Sequence, residues 1–244
     1  SRKKSNTLLE ALKEEKERKY SGGIYHKTQI ELTYNSNHIE GSKLTYDETR
    51  YIYETSTIGI GNKAIRVNDI IDTVNHFRCV DYIIDNGERK LSEAMIKEIH
   101  RILKSGSLDQ YKYSFKVGGY KALPNEVGGR ETTLPENVSK EMKELLSSYN
   151  LKKKKSLFDI IDFHVQFERI HPFQDGNGRV GRLIMFKECL RNNITPFIIS
   201  DELKMFYYRG LNEWGKINEY LFDTVLTAQD IYKGYLNYFQ PQLK

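Results

Sequence analysis

Residues 171–182 read His171-Pro172-Phe173-Gln174-Asp175-Gly176-Asn177-Gly178-Arg179-Val180-Gly181-Arg182, and an apolar run flanks them on each side. Upstream, from about Leu157 to Ile170, the residues Leu157, Ile160, Ile161, His164 and Phe167 share one face of a helical pattern. Downstream, from Arg179 to about Arg191, Leu183, Ile184, Met185, Phe186, Cys189 and Leu190 crowd so closely that a central, buried helix is expected. Pro172 disfavours helical geometry at His171, so the first helix ends there and the imidazole stands at a helix-to-loop junction. Asp175 to Gly178 is turn chemistry, in which Gly176, Asn177 and Gly178 can take positive φ and aim backbone N–H groups inward. The helix that follows offers unpaired N–H groups and a positive dipole end, which together make an anion-binding concavity.

Arg179 and Arg182, three apart, bring two permanent positive charges to one face of that helix start. They oppose the helix dipole unless an anion compensates them. Asp175 adds a hard oxygen ligand of the kind Mg²⁺ takes while also holding phosphates. Backbone amides, two arginines, a metal ligand and a base of unperturbed pKa near ~6.5 converge on a polyphosphate.

Working outward, most of the chain reads as helix. A charged helical stretch from Ser5 to Tyr20 closes at Gly22-Gly23, and a second from about His26 to Ile39 stops near Gly41. Thr45 and Glu48 form a capping-box pair that opens a third. Val67 to about Asp85 outlines a long buried helix, Ser92 caps the next, and Pro135 suits the first turn of another. Between Ser105 and Leu134 the texture turns rich in Gly and Tyr. The stretch holds Tyr113 to Tyr120, then Pro124-Asn125 and Gly128-Gly129, and alternation around a turn suggests a short β-hairpin followed by a loop, in a segment long enough to be functional. With no internal repeat and no low-complexity linker, one compact, mainly α domain is expected.

The 244 residues carry a formal charge of +5 and 39% hydrophobic residues, which suits a globular chain with a sizeable core. No run approaches the ~18 apolar residues of a membrane span, so no membrane partner is expected. The densest basic block, Lys152 to Lys155, reads as a solvated loop rather than a nucleic-acid face, and no nucleic-acid partner is expected. Cys79 and Cys189 lie in apolar runs without metal or disulfide spacing, consistent with a reducing cytoplasm. His164 and His171 lack a third ligand at recognisable spacing, so a metallohydrolase is set aside.

The run from His171 to Arg182 resembles the signature of the Fic family, His-Pro-Phe-x-Asp/Glu-Gly-Asn-Gly-Arg-x-x-Arg, at every fixed position. The resemblance extends over roughly residues 25–240, after an N-terminal helical extension over 1–24. It implies a Fic-type helical bundle with a β-hairpin flap near 111–133, and transfer of AMP from ATP to a Ser, Thr or Tyr hydroxyl. His171 would be the general base, Asp175 the ligand of Mg²⁺ (or Mn²⁺), and Gly176, Asn177, Gly178, Arg179 and Arg182 the phosphate-binding group. Tyr207, Tyr208 and Leu211 resemble the adenine side, with Asn212 a further candidate there. Lys116, Val117, Gly118 and Gly119 would lie in the flap, where a target protein docks as an added strand. That target could be the chain itself, and a homodimer is compatible. Gly178 stands where kinases of the superfamily carry Lys, which favours AMP transfer.

Ser36-Asn37-His38-Ile39-Glu40-Gly41 resembles the inhibitory helix, Ser/Thr-x-x-x-Glu-Gly/Asn, of the class that carries it before the Fic core; here it falls near 26–41. The resemblance implies that Glu40 pairs with Arg179, supported by Ser36, and holds basal activity low. Alternatives left open are removal of AMP, another Fic-type phosphotransfer, and a nucleotide-binding interaction module without turnover.

Overall fold

The computed structural model describes residues 5–243, so residues 1–4 of the expected N-terminal extension lie outside the described residues. Helix α8 (Asn177–Arg191) runs through the middle, buried on every side except at Gly178 and Arg191. Its residues divide between two cores. Val180, Leu183, Ile184, Phe186 and Leu190 join a larger cluster with α1 (Leu8–Glu17), α4 (Val67–Asp85), α5 (Glu93–Lys104) and α6 (Pro135–Tyr149). Met185 and Cys189 join a smaller one with α9 (Lys204–Glu213) and α10 (Glu219–Phe239). Each fully buried side chain of this size contributes about 1.5–3 kcal/mol, so the helix on the downstream side of the 171–182 loop is firmly held.

Helix α7 (Leu157–Ile170) packs against α8, to which the short loop joins it, and Ser156 with Asp159 closes a capping box at its start. Helix α3 (Tyr46–Thr55) opens on the Thr45–Glu48 capping box that the sequence predicts. Among the described residues there are ten α-helices and one two-stranded sheet, and no helix is long and apolar enough to cross a membrane. The mainly α reading is met.

Helix α2 (Ile24–Ile39) turns a row of polar side chains inward. Gln29 Nε2 donates to the Phe77 carbonyl at 3.1 Å and to Asp81 at 2.9 Å, and Thr33 Oγ1 lies 2.7 Å from His76 Nδ1. These bonds fix the rotation of α2 on α4, which is what aims Ser36 and Glu40.

Two expectations need correction. The hairpin lies within the expected flap near 111–133 but does not include the docking residues expected at 116–119: strands β1 (Glu126–Val127) and β2 (Arg130–Glu131) pair antiparallel around Gly128 and Gly129, at φ +56° and +74°. Two positive φ values suit a two-residue hairpin turn, whereas Gly118, at φ +75°, folds 116–119 into a turn against α5. The basic block is solvated only at Lys152 to Lys154. Lys155 is buried, its ammonium turned back to the Lys152 carbonyl and 4.9 Å from the centre of the Tyr149 ring.

Candidate active site

His171 caps α7 in the left-handed region, φ 53°, ψ 60°, with its N–H on the Phe167 carbonyl at 2.9 Å. The chain therefore leaves the helix at the imidazole, as Pro172 requires. Its Nδ1 is buried without a hydrogen-bond partner among the described residues. Burial, then the nearby Lys121 ammonium, lowers the imidazole below its ordinary pKa. It is therefore neutral, and able to accept a proton, at neutral pH.

The loop is braced from within and from α5. Asn177 Oδ1 accepts from the Phe173 N–H at 2.8 Å while its Nδ2 donates to the Phe173 carbonyl at 2.7 Å. The Phe173 ring stacks on His100, centroids 4.0 Å apart and planes 4° from parallel. His100 Nδ1 accepts the Gly118 N–H at 2.9 Å, which leaves Nε2 to donate to the Asp175 carbonyl at 2.9 Å. Burial drives that imidazole down to about 4, so it stays in this neutral tautomer. Gly118 thus braces the loop through His100, and Lys116, Val117, Gly118 and Gly119 form a turn rather than the strand expected of them. The Asn177 side chain, expected among phosphate ligands, is committed to Phe173; what it leaves for an anion is its backbone N–H. Gly176, at φ +91°, turns the chain into α8, and the N–H groups of 177–179 precede the first intrahelical bond, Val180 N–H to the Gly176 carbonyl at 3.0 Å.

The arginines part company. Arg182 Nε donates to Ser36 Oγ at 3.0 Å, and its Nη2 donates to Glu40 Oε1 at 2.6 Å and to the Ser36 carbonyl at 3.2 Å. Arg179 Nη1 donates to Asp72 Oδ2 at 2.6 Å and its Nη2 to Asp175 Oδ2 at 3.4 Å. Glu40 therefore pairs with Arg182, not with Arg179 as the sequence suggested. The reason is competition: α4 already supplies Asp72 to Arg179, and α2 presents Glu40 on the Arg182 side. Burial alone would raise the Glu40 carboxyl, but Arg182 and then Arg179 hold it below its usual range, ionised. A Cβ built on Gly178 would sit 2.1 Å from Glu40 Oε1, so the carboxylate lies directly on the helix start where an anion would bind.

Lys104, buried in α5, reaches Asp175 Oδ2 at 2.9 Å, Asp109 at 3.0 Å and Asp72 at 3.6 Å. Burial opposes ionisation of Asp175, yet Arg179 and Lys104 more than offset it and hold the carboxyl at about 2. With Oδ2 committed and the side chain 54% exposed, Asp175 fits a divalent ion that brings its other oxygen ligands with it. No group of three or more His, Cys, Asp or Glu suited to a metal occurs among the described residues.

From Gly178, Arg182 and His171 a cleft of about 360 Å³ leads to Tyr207, Tyr208, Leu211 and Asn212, with Val127, Gly128 and Arg130 of the hairpin forming one wall. Structure brings the four adenine-side candidates together in its lining. Tyr207 is buried there, its hydroxyl 2.6 Å from His164 Nε2. Sequence reading missed Asp72, Lys104, His100, Lys121, Arg130 and Glu168. The first three lie inside apolar helical patterns and carry no local signal of their contacts.

The Fic/DOC family model matches residues 90–189, which spans α5, the hairpin, the loop and most of α8. Over that stretch the chain is similar to the Fic/DOC family. "Protein adenylyltransferase Fic" of Nematostella vectensis is 28% identical over 74% of this chain, and its counterpart in Aedes aegypti 29% over 73%. The chain spans 42% and 36% of the length of those relatives. A Fic domain containing signaling protein from Bacteroides thetaiotaomicron has a similar structure, with TM-score 0.70, 25% identity and coverage of 98% of this chain and 92% of that one. Fic-1 of Caenorhabditis elegans shares the fold, with TM-score 0.70 over 94% of this chain and 69% of that one, at 20% identity.

Proposed function

We propose that this chain transfers AMP from Mg-ATP to a hydroxyl side chain of a protein, and that Glu40 restrains it. The observation that carries this reading is the placement of a neutral His171 beside a helix start bearing Arg182, at the mouth of a cleft with an aromatic far end. The phosphates would occupy the Fic loop, with the α-phosphate near His171 and the base toward Tyr208 and Leu211. The target hydroxyl gives its proton to His171 as its oxygen bonds to the α-phosphorus. The bond from that phosphorus to the bridging oxygen breaks, and pyrophosphate leaves. Asp175 would hold the magnesium that accompanies ATP, which would supply neutralisation of part of the phosphate charge. N–H groups of 177–179 and the two arginines stabilise the rest, so positioning and charge neutralisation do most of the catalysis. The general base adds about 10²–10⁴-fold.

For the target, the two-stranded hairpin at 126–131 offers a short edge beside the cleft, which suits strand addition. The curated relatives named as adenylyltransferases support transfer of AMP over transfer of phosphate. Labelling a lysate with ATP carrying the radiolabel at the α- or at the γ-phosphate tests this. Only the α-label should enter protein, and His171→Ala should abolish that incorporation while leaving ATP bound. Incorporation of the γ-label, or undiminished transfer by His171→Ala, would overturn the reading.

A further inference from the structure

Three residues before His171, on the same helix, Glu168 lines the cleft yet has no part in the chemistry above. It is 8% exposed, and its Oε1 is buried without a hydrogen-bond partner among the described residues. An unpartnered buried carboxyl oxygen costs about 1–3 kcal/mol or more, and such groups call for a ligand, a water or a functional reason. The fold makes room for it deliberately. A Cβ on Gly181 would lie 2.6 Å from Glu168 Oε1, so only glycine at this turn of α8 lets the carboxyl settle against the helix. The neighbouring His164 keeps its Nε2 on the Tyr207 hydroxyl, and its Nδ1, on the same side of Gly181 as the carboxyl, also has no hydrogen-bond partner among the described residues.

Position along the cleft narrows what Glu168 would meet. Gly178 and Arg182 mark the phosphate end and Tyr208 with Leu211 the aromatic end. Glu168 stands about one turn of α7 before His171 and against Gly181, within electrostatic reach of Arg182 and Glu40 on one side and of Tyr207 and Tyr208 on the other, hence between those ends. In a nucleoside triphosphate the group between phosphates and base is the sugar, and its ring hydroxyls are hydrogen-bonding groups at that height. We infer that Glu168 hydrogen-bonds a ribose hydroxyl of the bound nucleotide and is a specificity-determining residue that favours ribonucleotides over deoxyribonucleotides. Burial pushes the carboxyl up to about 7, against the pull of Arg182. Near neutrality it can therefore accept from a hydroxyl or donate to one.

This inference rests on the nucleotide reading of the cleft, and the test separates the two. Dissociation constants for ATP, 2′-deoxyATP, 3′-deoxyATP and tripolyphosphate, each with magnesium, are measured by calorimetry in a His171→Ala background, where nucleotide is not consumed. The parent should prefer ATP over at least one deoxy analogue by about tenfold, the scale of one hydrogen bond in a buried site. Glu168→Ala should bring that preference close to unity. Glu168→Gln, which keeps the shape and one acceptor, should retain part of it, and tripolyphosphate affinity should be unchanged in both, which also shows that both fold. ATP binding with the same ATP-to-deoxyATP ratios in parent and Glu168→Ala would overturn the role of Glu168 and leave the nucleotide reading standing. Absence of ATP binding in the parent would overturn both.

Discussion

Glu40→Gly tests the restraint most directly, because the structure assigns that carboxylate two separate costs for an incoming triphosphate. Its Oε1 holds Arg182 Nη2 at 2.6 Å, so the guanidinium must give up a charge-assisted bond before it can take a phosphate. Such a bond is worth about 1.5–3 kcal/mol, with the low end fitting here because the glutamate side chain is 36% exposed. The carboxylate also lies against Gly178, and a phosphate oxygen seated on that helix start at ~4 Å would meet a repulsion of about 4 kcal/mol at an effective dielectric of 20. Movement of the side chain relieves much of the second cost, so the two are not additive. At ~1.4 kcal/mol per decade, removal should raise AMP transfer by about 10- to 10³-fold. The assay is incorporation of α-labelled ATP into a lysate, with Glu40→Gln beside Glu40→Gly, since Gln keeps the shape and drops the charge. Gln should recover part of the gain. Equal incorporation by all three proteins at saturating Mg-ATP would refute the assignment of Glu40 as a restraint.

Other outcomes follow from particular contacts. Gly181→Ala should lower stability by about 1–3 kcal/mol in urea unfolding, because its Cβ would meet Glu168 Oε1 at 2.6 Å, and Glu168→Ala in the same chain should restore most of it. Asn177→Ala removes both bonds to Phe173 and should weaken tripolyphosphate binding, read by calorimetry, even though the side chain faces no anion. Transfer should fall on the acid side with a midpoint below the ordinary ~6.5, since His171 is lowered by burial and then by Lys121; Lys121→Met should move that midpoint upward in a pH–rate profile. Stability has its own acid limb. His76 and His164, driven by burial to about 3, and His100, to about 4, bind protons more readily unfolded than folded. Their contribution is full above ~6.5 and is lost as pH falls toward 4, whereas the raised Glu168 works the opposite way, so Tm should drop between those values.

Much of the fold was legible because its helices announce themselves. Thr45 with Glu48, Ser92, Pro135 and the apolar face from Leu157 place their helix starts within a residue or two. The loop was legible for a different reason: Pro172, Gly176 and the residues around them carry backbone instructions that act locally. What stayed hidden was everything decided by partners far along the chain. Nothing near Arg179 says that Asp72, from a helix over a hundred residues upstream, takes its guanidinium and so leaves Arg182 for Glu40. The docking strand was also placed one glycine pair too early, since 118–119 and 128–129 look alike until His100 is seen to claim the Gly118 N–H.

Glu40 borders two spaces, the aromatic cleft reached by Arg182 and a polar hollow of about 260 Å³ that holds Arg179, Asp72 and Asp175. It stands between them as a partition. Because Gln29 and Thr33 lock α2 to α4 by buried bonds, that partition is hung on a fixed post: the helix cannot readily swing out, but the side chain beyond its last turn can. Release should then run at the pace of side-chain rotation, in nanoseconds once its ion pair opens, without waiting on any domain movement. An activator of this protein would need to hold one carboxylate aside, and nothing larger.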